Sequence, residues 1–219
     1  KKKNKQNNIP KHRTRFTAFD WGYDSPLAFQ WWTVASEELH LEDGLIPTGA
    51  LVMYREWAGR DANGKGVRLN ADQIVAEVRG RQAKDEVMAY GVAGVDIWQH
   101  KSGPTVAEDM ARLGMPQIRA DNQRIMGWQQ VRKRLVGGRQ PLLYVFSTCP
   151  SLIRTLPALQ HDEHKPEDVG SGDDHDAEAM RYACMSRPWT ADAPNKEQEF
   201  FALPTFNQLR DMNRKDDDE

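Results

Sequence analysis

Three acidic groupings in this chain have the residue types and spacing to hold divalent metal and to activate water. The first is Asp20, at the end of Arg15-Phe-Thr-Ala-Phe-Asp20. The second is Asp96, just after the apolar stretch Val87 to Val95. The third is Gly172-Asp-Asp-His-Asp-Ala-Glu178, with five ionisable side chains in the six residues 173–178. On a helix, Asp174 and Glu178 stand one turn apart, and His175 and Glu178 three residues apart, so each pair shares a face. Carboxylates gathered this densely repel one another without cations. Magnesium suits them, with its hard oxygen ligands and its remaining positions filled by water and phosphate. Two such ions, about 3.5–4 Å apart, activate a water and stabilise the leaving oxygen of a phosphodiester.

Each grouping also has a simpler reading. Asp20, before Trp21-Gly22, can open a turn. Asp96 can hydrogen-bond a loop or a helix N-terminus. The acidic run can cap a helix at the positive end of its dipole and pair with Arg181. His161 and His164, flanking Asp162 and Glu163, read as a solvated loop, because a zinc site would need a second ligand pair. Trp31, Trp32, Trp57, Trp98 and Trp128 read as packing rather than base-stacking platforms. Arg124, Arg132, Lys133 and Arg134, with Arg139 after them, are the candidate DNA-binding residues. Their spread around one helix equally describes a solvated face.

Strands must carry the first two acids and a helix the third group. The patterning predicts strands over 15–20, 27–34 and 50–57, joined by short links as an antiparallel meander, with 37–49 a polar connection. Asn70-Ala-Asp-Gln73 and Thr105-Val-Ala-Glu108 have the form of capping boxes that start helices. The apolar stretch 87–95 reads as a central strand. A helix over 123–136 is expected to turn Ile125, Trp128, Val131 and Leu135 inward. A strand over 141–146 and helical residues 150–159 follow. The last helix carries an apolar stripe of Ala177, Met180, Ala183 and Cys184, and Pro188 stops it. The fold class is therefore α/β: a mixed sheet of three antiparallel strands followed by parallel strands, with helices on both faces. Right-handed crossovers would place the first and fourth strands side by side, bringing Asp20 and Asp96 together with the acidic helix laid across them.

With 219 residues and a formal charge of −2, the chain is long enough for one domain with a real core and has no overall basic footprint. A nucleic-acid partner would have to meet a local patch. Residues 1–14 form a basic segment expected to be flexible, residues 15–190 the folded domain, and residues 191–219 an extension with an acidic tail. Two cysteines, Cys149 and Cys184, lack metal-ligand spacing and read as buried thiols of a reducing compartment. No apolar run is long enough for a membrane span. The start without Met, in a basic polar segment, reads as a piece of a longer protein. There is no phosphate-binding Gly-x-x-x-x-Gly-Lys-[Ser/Thr] loop and no Rossmann fingerprint.

An ordered set of motifs spans roughly residues 15–190. It comprises Phe19-Asp20-Trp21-Gly22, Gly94-Val95-Asp96 and Asp121-Asn-Gln-Arg-Ile-Met-Gly-Trp128 with Arg132 and Leu135. Leu143-Tyr-Val-Phe-Ser-Thr-Cys149, Leu156-Pro157 and Asp174-His175 follow, and then Arg181-Tyr-Ala-Cys-Met-Ser-Arg-Pro-Trp189. This set resembles the C-terminal nuclease domain of the large terminase subunit of tailed bacteriophages and prophages, a ribonuclease H-like fold. The resemblance implies a metal-dependent endonuclease that cuts double-stranded viral DNA during genome packaging. Asp20, Asp96, Asp174 and Glu178 would bind two Mg²⁺ or Mn²⁺ ions, and His175 would assist catalysis. It further implies double-stranded DNA, the small terminase subunit, the portal and an ATPase domain missing from this chain as partners, no membrane, and the host bacterial cytoplasm as location. Family members read Asp-His-x-x-Asp at the final helix. Here the closing position is Glu178 and an additional Asp176 lies between, so the ligands among Asp174, His175, Asp176 and Glu178 stay open. Two alternatives remain: a module that grips DNA or the portal with little cleavage of its own, and a nuclease like the Holliday-junction resolvases.

Overall fold

The computed structural model describes residues 9–41, 44–100, 103–136, 138, 140–170 and 172–188. Most of the basic start, Arg139 and the acidic extension lie outside the described residues. In chain order the strands are β1 (Arg15–Asp20), β2 (Leu27–Val34), β3 (Leu39–Leu41), β4 (Gly44–Ile46), β5 (Leu51–Gly59), β6 (Tyr90–Ala93), β7 (Ile118–Arg119) and β8 (Leu143–Val145). The α-helices are α1 (Ala71–Arg81), α2 (Val106–Arg112), α3 (Arg124–Val136), α4 (Pro150–Thr155) and α5 (His175–Ser186).

Six strands form one sheet in the order β7-β6-β1-β2-β5-β8. β1, β2 and β5 pair antiparallel, while β6 joins β1, β7 joins β6 and β8 joins β5 in parallel. This is the mixed sheet that the sequence pattern predicts, with the first and fourth strands of that pattern side by side. Residues 16–20 and 27–33 are all buried, so the two central strands are covered on both faces.

Register decides which helix each strand residue meets. Thr17 stands opposite Trp31 and Phe19 opposite Phe29, and Thr17 and Phe29 line one cleft with Val78 of α1. Ala18 stands opposite Gln30 and Asp20 opposite Ala28. Gln30 Nε2 donates to the Asp176 carbonyl at 2.6 Å, so this second face belongs to α5. Residue alternation therefore turns Asp20 toward α5. α5 lies across β1, β2 and β6, with α3 and α4 against it. Its residues 176–184 are all buried, and Ala177, Ala179 and Ala183 let it approach the sheet closely.

Both capping boxes form. Asn70 accepts from Gln73 N while Gln73 returns a bond to Asn70 N, and Thr105 and Glu108 do the same. Four expectations differ in detail. The 37–49 connection contains the β3–β4 hairpin. The strand expected over 87–95 is only β6, with Val87 79% exposed, and Asp96 sits beyond it in a single 3₁₀ turn, Val95–Trp98. The helical 150–159 segment is α4 followed by a 3₁₀ turn, Leu156–Ala158. In α3 the buried positions are Gly127, Trp128, Val131 and Arg134, whereas Ile125 and Leu135 face solvent. The cause is Gly127: a Cβ there would lie 2.7 Å from Cγ and Cδ of Arg181, so α3 meets α5 through its glycine and its inward stripe is rotated. Among the described residues no helix is long and apolar enough to cross a membrane.

Candidate active site

Asp20 closes β1 at the end of the sheet where β6, β7 and β8 also finish. It is 7% exposed, and its Oδ2 lies 2.9 Å from Nδ1 of His175, the first residue of α5. Burial pushes its carboxyl up to about 6; His175 pulls it back, while Glu178 and Asp174 add to the rise. The hydrogen bond to Asp20 in turn raises the His175 imidazole above its ordinary value, against its own burial. Asp174 is the N-cap position of α5, but its side chain does not cap the helix. Burial, and after it the charge of Glu178, raises its carboxyl. Asp20, Asp174, His175 and Glu178 thus form one coupled group.

Glu178 is placed differently from the other three. Arg124 Nη1 donates to its Oε1 at 2.8 Å, and Arg181 donates to its Oε2 through Nη2 at 2.6 Å and Nε at 3.0 Å. Arg181 is fully buried and Glu178 is 6% exposed, so arginines hold both of its oxygens. Arg124 is also tied to Asp168 at 3.0 Å. The simpler sequence reading, a pair between Glu178 and Arg181, is therefore present within the candidate site.

Asp96 is exposed and accepts a hydrogen bond from Gln99 Nε2 at 2.6 Å. It joins the group through Tyr182. Burial first, and then Asp20, Glu178 and Asp96, push the Tyr182 phenol upward. Gly94 makes room for this ring, since a Cβ there would meet Tyr182 at 3.0 Å. Asp20 at the end of β1, Asp96 after β6 and Glu178 of α5 consequently act on one hydroxyl.

Asp176 belongs elsewhere. It is fully buried, and its Oδ2 accepts from Ser151 Oγ at 2.7 Å and from Arg60 Nη2 at 2.9 Å. It ties α5 to α4 and to the residue after β5. Sequence reasoning did not identify Arg60, Ser151 or Asp168, and it placed Tyr182 within a motif without giving it a role. Arg60 and Asp176 lie 116 positions apart, and no local pattern links them.

Of the basic candidates, Arg134 is corrected: it is 3% exposed and donates to the carbonyls of Gly49 and Arg187, because it lies on the inward stripe of α3. Arg124 is committed to Glu178 and Asp168. Arg132, beside His161 at 3.3 Å, and Lys133 are exposed. Arg139 lies outside the described residues.

Among the described residues, no three His, Cys, Asp or Glu side chains converge closely enough, as placed, to hold a metal ion. The donor chemistry nevertheless fits a hard cation at three positions. Asp20, Asp96 and Asp174 offer carboxylate oxygens with no arginine or lysine ion pair among the described residues, and burial of Asp20 is a cost that a cation would relieve. Glu178, its charge already shared by two arginines, does not fit a ligand role as placed.

No family model matches the chain. No curated protein matches it. Solved structures do. The nuclease domain of the P22 large terminase matches 82% of this chain and 84% of its own, at 20% identity and a TM-score of 0.59. A large terminase from a thermophilic bacteriophage, in complex with ADP, matches 84% of this chain at 15% identity and a TM-score of 0.62. Only 42% of that longer protein is covered. The large terminase nuclease of the thermophilic phage G20c with bound magnesium matches 81% of this chain and 83% of its own, at 12% identity and a TM-score of 0.54. The chain thus carries the ribonuclease H-like fold of the large-terminase nuclease domains.

Proposed function

We propose that this chain is a Mg²⁺- or Mn²⁺-dependent endonuclease that cuts double-stranded viral DNA during genome packaging. The observation that supports it most is the buried, cation-poor Asp20 at the end of β1, set against the acidic start of α5. This arrangement lies on the fold of nucleases solved with magnesium and with cobalt bound. Asp20, Asp96 and Asp174 would hold the ions. Bound metal would supply a water of lowered pKa and charge stabilisation at the leaving oxygen. His175, hydrogen-bonded to Asp20, fixes that carboxylate's orientation. Its other ring nitrogen is left to carry a proton to or from the reacting water or leaving oxygen. Glu178, held by Arg124 and Arg181, keeps the first turn of α5 in place rather than binding metal. In packaging, the partners would be DNA, an ATP-hydrolysing domain, the small subunit and the portal, inside the host cell.

The test is a supercoiled-plasmid assay with Mg²⁺, Mn²⁺, Ca²⁺ or EDTA, alongside Asp20→Asn and Asp96→Asn. Nicking and linearisation with Mg²⁺ or Mn²⁺, reduced to background in EDTA and in both variants, is expected. Full activity in both variants would sink the proposal.

The Glu178 clamp favours a second reading, in which the domain grips DNA and cleaves little by itself. An intact plasmid under every condition, together with a salt-sensitive gel shift, would select it.

A further inference from the structure

The start of α5 carries a second set of charges, which the metal-binding residues do not use. Asp173 Oδ2 accepts from Arg60 Nη1 at 2.6 Å and from Arg154 Nη2 at 3.3 Å. Two guanidinium groups, one just after β5 and one on α4, therefore converge on a single anionic oxygen. That oxygen belongs to the residue directly before Asp174. The Asp173 side chain is 38% exposed and that of Arg154 is 61% exposed, so the group opens to solvent.

Arg60 is anchored from behind. Its Nη2 reaches Asp176 Oδ2 at 2.9 Å, and Ser151 Oγ holds the same oxygen at 2.7 Å. The buried Asp176 thus fixes the inner guanidinium whatever Asp173 does. A cavity of about 160 Å³ opens beside Asp173, lined among others by Arg154, Thr155, Gly170 and Gly172. Among the described residues, a Cβ added at Gly172 would meet nothing within 4 Å.

Guanidinium groups aimed at one anionic oxygen present the geometry that arginine offers to phosphate. DNA approaching Asp20 and Asp174 meets carboxylates of its own sign and needs a cationic seat beside them. Arg124 cannot supply it while Glu178 and Asp168 hold it. The exposed Asp173–Arg154 pair is weak, so a competing anion displaces it first; the Asp173–Arg60 pair, with the Arg60 side chain 18% exposed, is the stronger hold on Asp173. We propose that Arg60 and Arg154 form a clamp for a backbone phosphate of double-stranded DNA beside the acid cluster. Asp173 occupies this clamp as an internal anion in the free protein. The proposal rests on the DNA-cutting reading above.

The experiment titrates a short fluorescent duplex with the whole chain, in EDTA and again in Ca²⁺, over a series of NaCl concentrations. Asp173→Asn, which keeps the shape and removes the competing charge, should tighten binding roughly two- to fivefold, the range set by an exposed ion pair. Arg154→Gln should weaken binding and flatten the dependence of log K on log salt by about one unit, as expected when one phosphate contact is lost. Arg154 is exposed, so that arm remains informative if Asp173→Asn fails to fold, which circular dichroism would reveal. Unchanged or weaker binding in folded Asp173→Asn, or an unchanged salt slope in Arg154→Gln, overturns the clamp alone. A wild-type chain that neither binds duplex nor cuts plasmid overturns the DNA-cutting reading as well.

Discussion

Burial raises the Asp20 carboxyl to about 6, with His175 opposing the rise and Glu178 and Asp174 adding to it. The sign of the consequence follows from linkage. An acid whose folded pKa lies above its unfolded value binds more protons when folded, so stability falls as pH rises between the two values. For Asp20 that window runs from the ordinary carboxylate range near 3.8 up to about 6. His175, raised chiefly by Asp20, contributes stability that is fully present below its unfolded value and lost as pH rises through its folded one. Both slopes run downward. In EDTA, therefore, the melting temperature should fall as pH is raised from about 4 through 7. Asp20→Asn should remove the part of that slope between about 4 and 6. At neutral pH the variant should gain about 1 kcal/mol after loss of the His175 contact, or roughly 2–4 °C in Tm, while cutting disappears. Calorimetry and the plasmid assay on the same preparations check both halves. A variant that lost stability as well as activity would show Asp20 to be a packing residue rather than a charge kept for chemistry.

The α3–α5 contact shows how an element can override the pattern of its own sequence. Periodicity predicts an inward stripe through Ile125 and Leu135, but a glycine that admits Arg181 outweighs those two side chains. Arg181 pairs with Glu178 three residues before it on α5, and its stem lies against the α3 backbone where Gly127 leaves room. The same substitution at two helical glycines separates packing from propensity. Gly80, exposed on α1, has nothing within 4 Å of an added Cβ, so Gly80→Ala should stabilise by about 0.5–1 kcal/mol. Gly127→Ala should destabilise by about 1–2 kcal/mol after the same propensity gain, because a buried arginine stem cannot yield. Denaturant midpoints at unchanged m-value check the pair. The elements legible in the sequence had local signals. Alternation marked β1 and β2, and reciprocal side chains three apart marked the starts of α1 and α2. What stayed hidden depends on distant partners. The inward phase of α3 is set by a residue on α5, Asp176 is committed to Arg60, and Glu178 is shared with Arg124. The acids of the candidate site could be named individually, but their division of labour could not.

At the scale of the whole molecule, the two thiols report whether the sheet and its covering helices open together. Cys149 precedes α4, with its Sγ 3.9 Å from the Met53 carbonyl of β5, while Cys184 lies within α5, the helix packed on the central strands. Both are fully buried, and burial pushes both thiols up to about 12. Neither should react with an aromatic disulfide reagent in the native state at neutral pH, and both should react in denaturant, because attack requires an exposed thiolate. The comparison of rates carries the information. Cys184 sits under the central strands, where exposure requires the core to separate. Cys149 sits beside β8, a three-residue edge strand paired, among the described residues, only with β5. If the chain unfolds as one cooperative unit, the two thiols should be labelled at one rate over a range of low denaturant concentrations. If β8 and α4 open alone, Cys149 should be labelled faster and its rate should depend less on denaturant, since less surface is exposed. We expect a single rate. α4 is bound to the rest of the molecule by the Glu56 carboxylate, which accepts from the Ser151 and Leu152 amides, and by the Ser151–Asp176 hydrogen bond to α5. Releasing α4 would leave the buried Asp176 with fewer partners, a cost of about 1–3 kcal/mol added to that of separating α4 from the core. Mass spectrometry of partially labelled chains distinguishes the outcomes: doubly labelled and unlabelled species for one cooperative unit, a singly labelled Cys149 species for a separate edge.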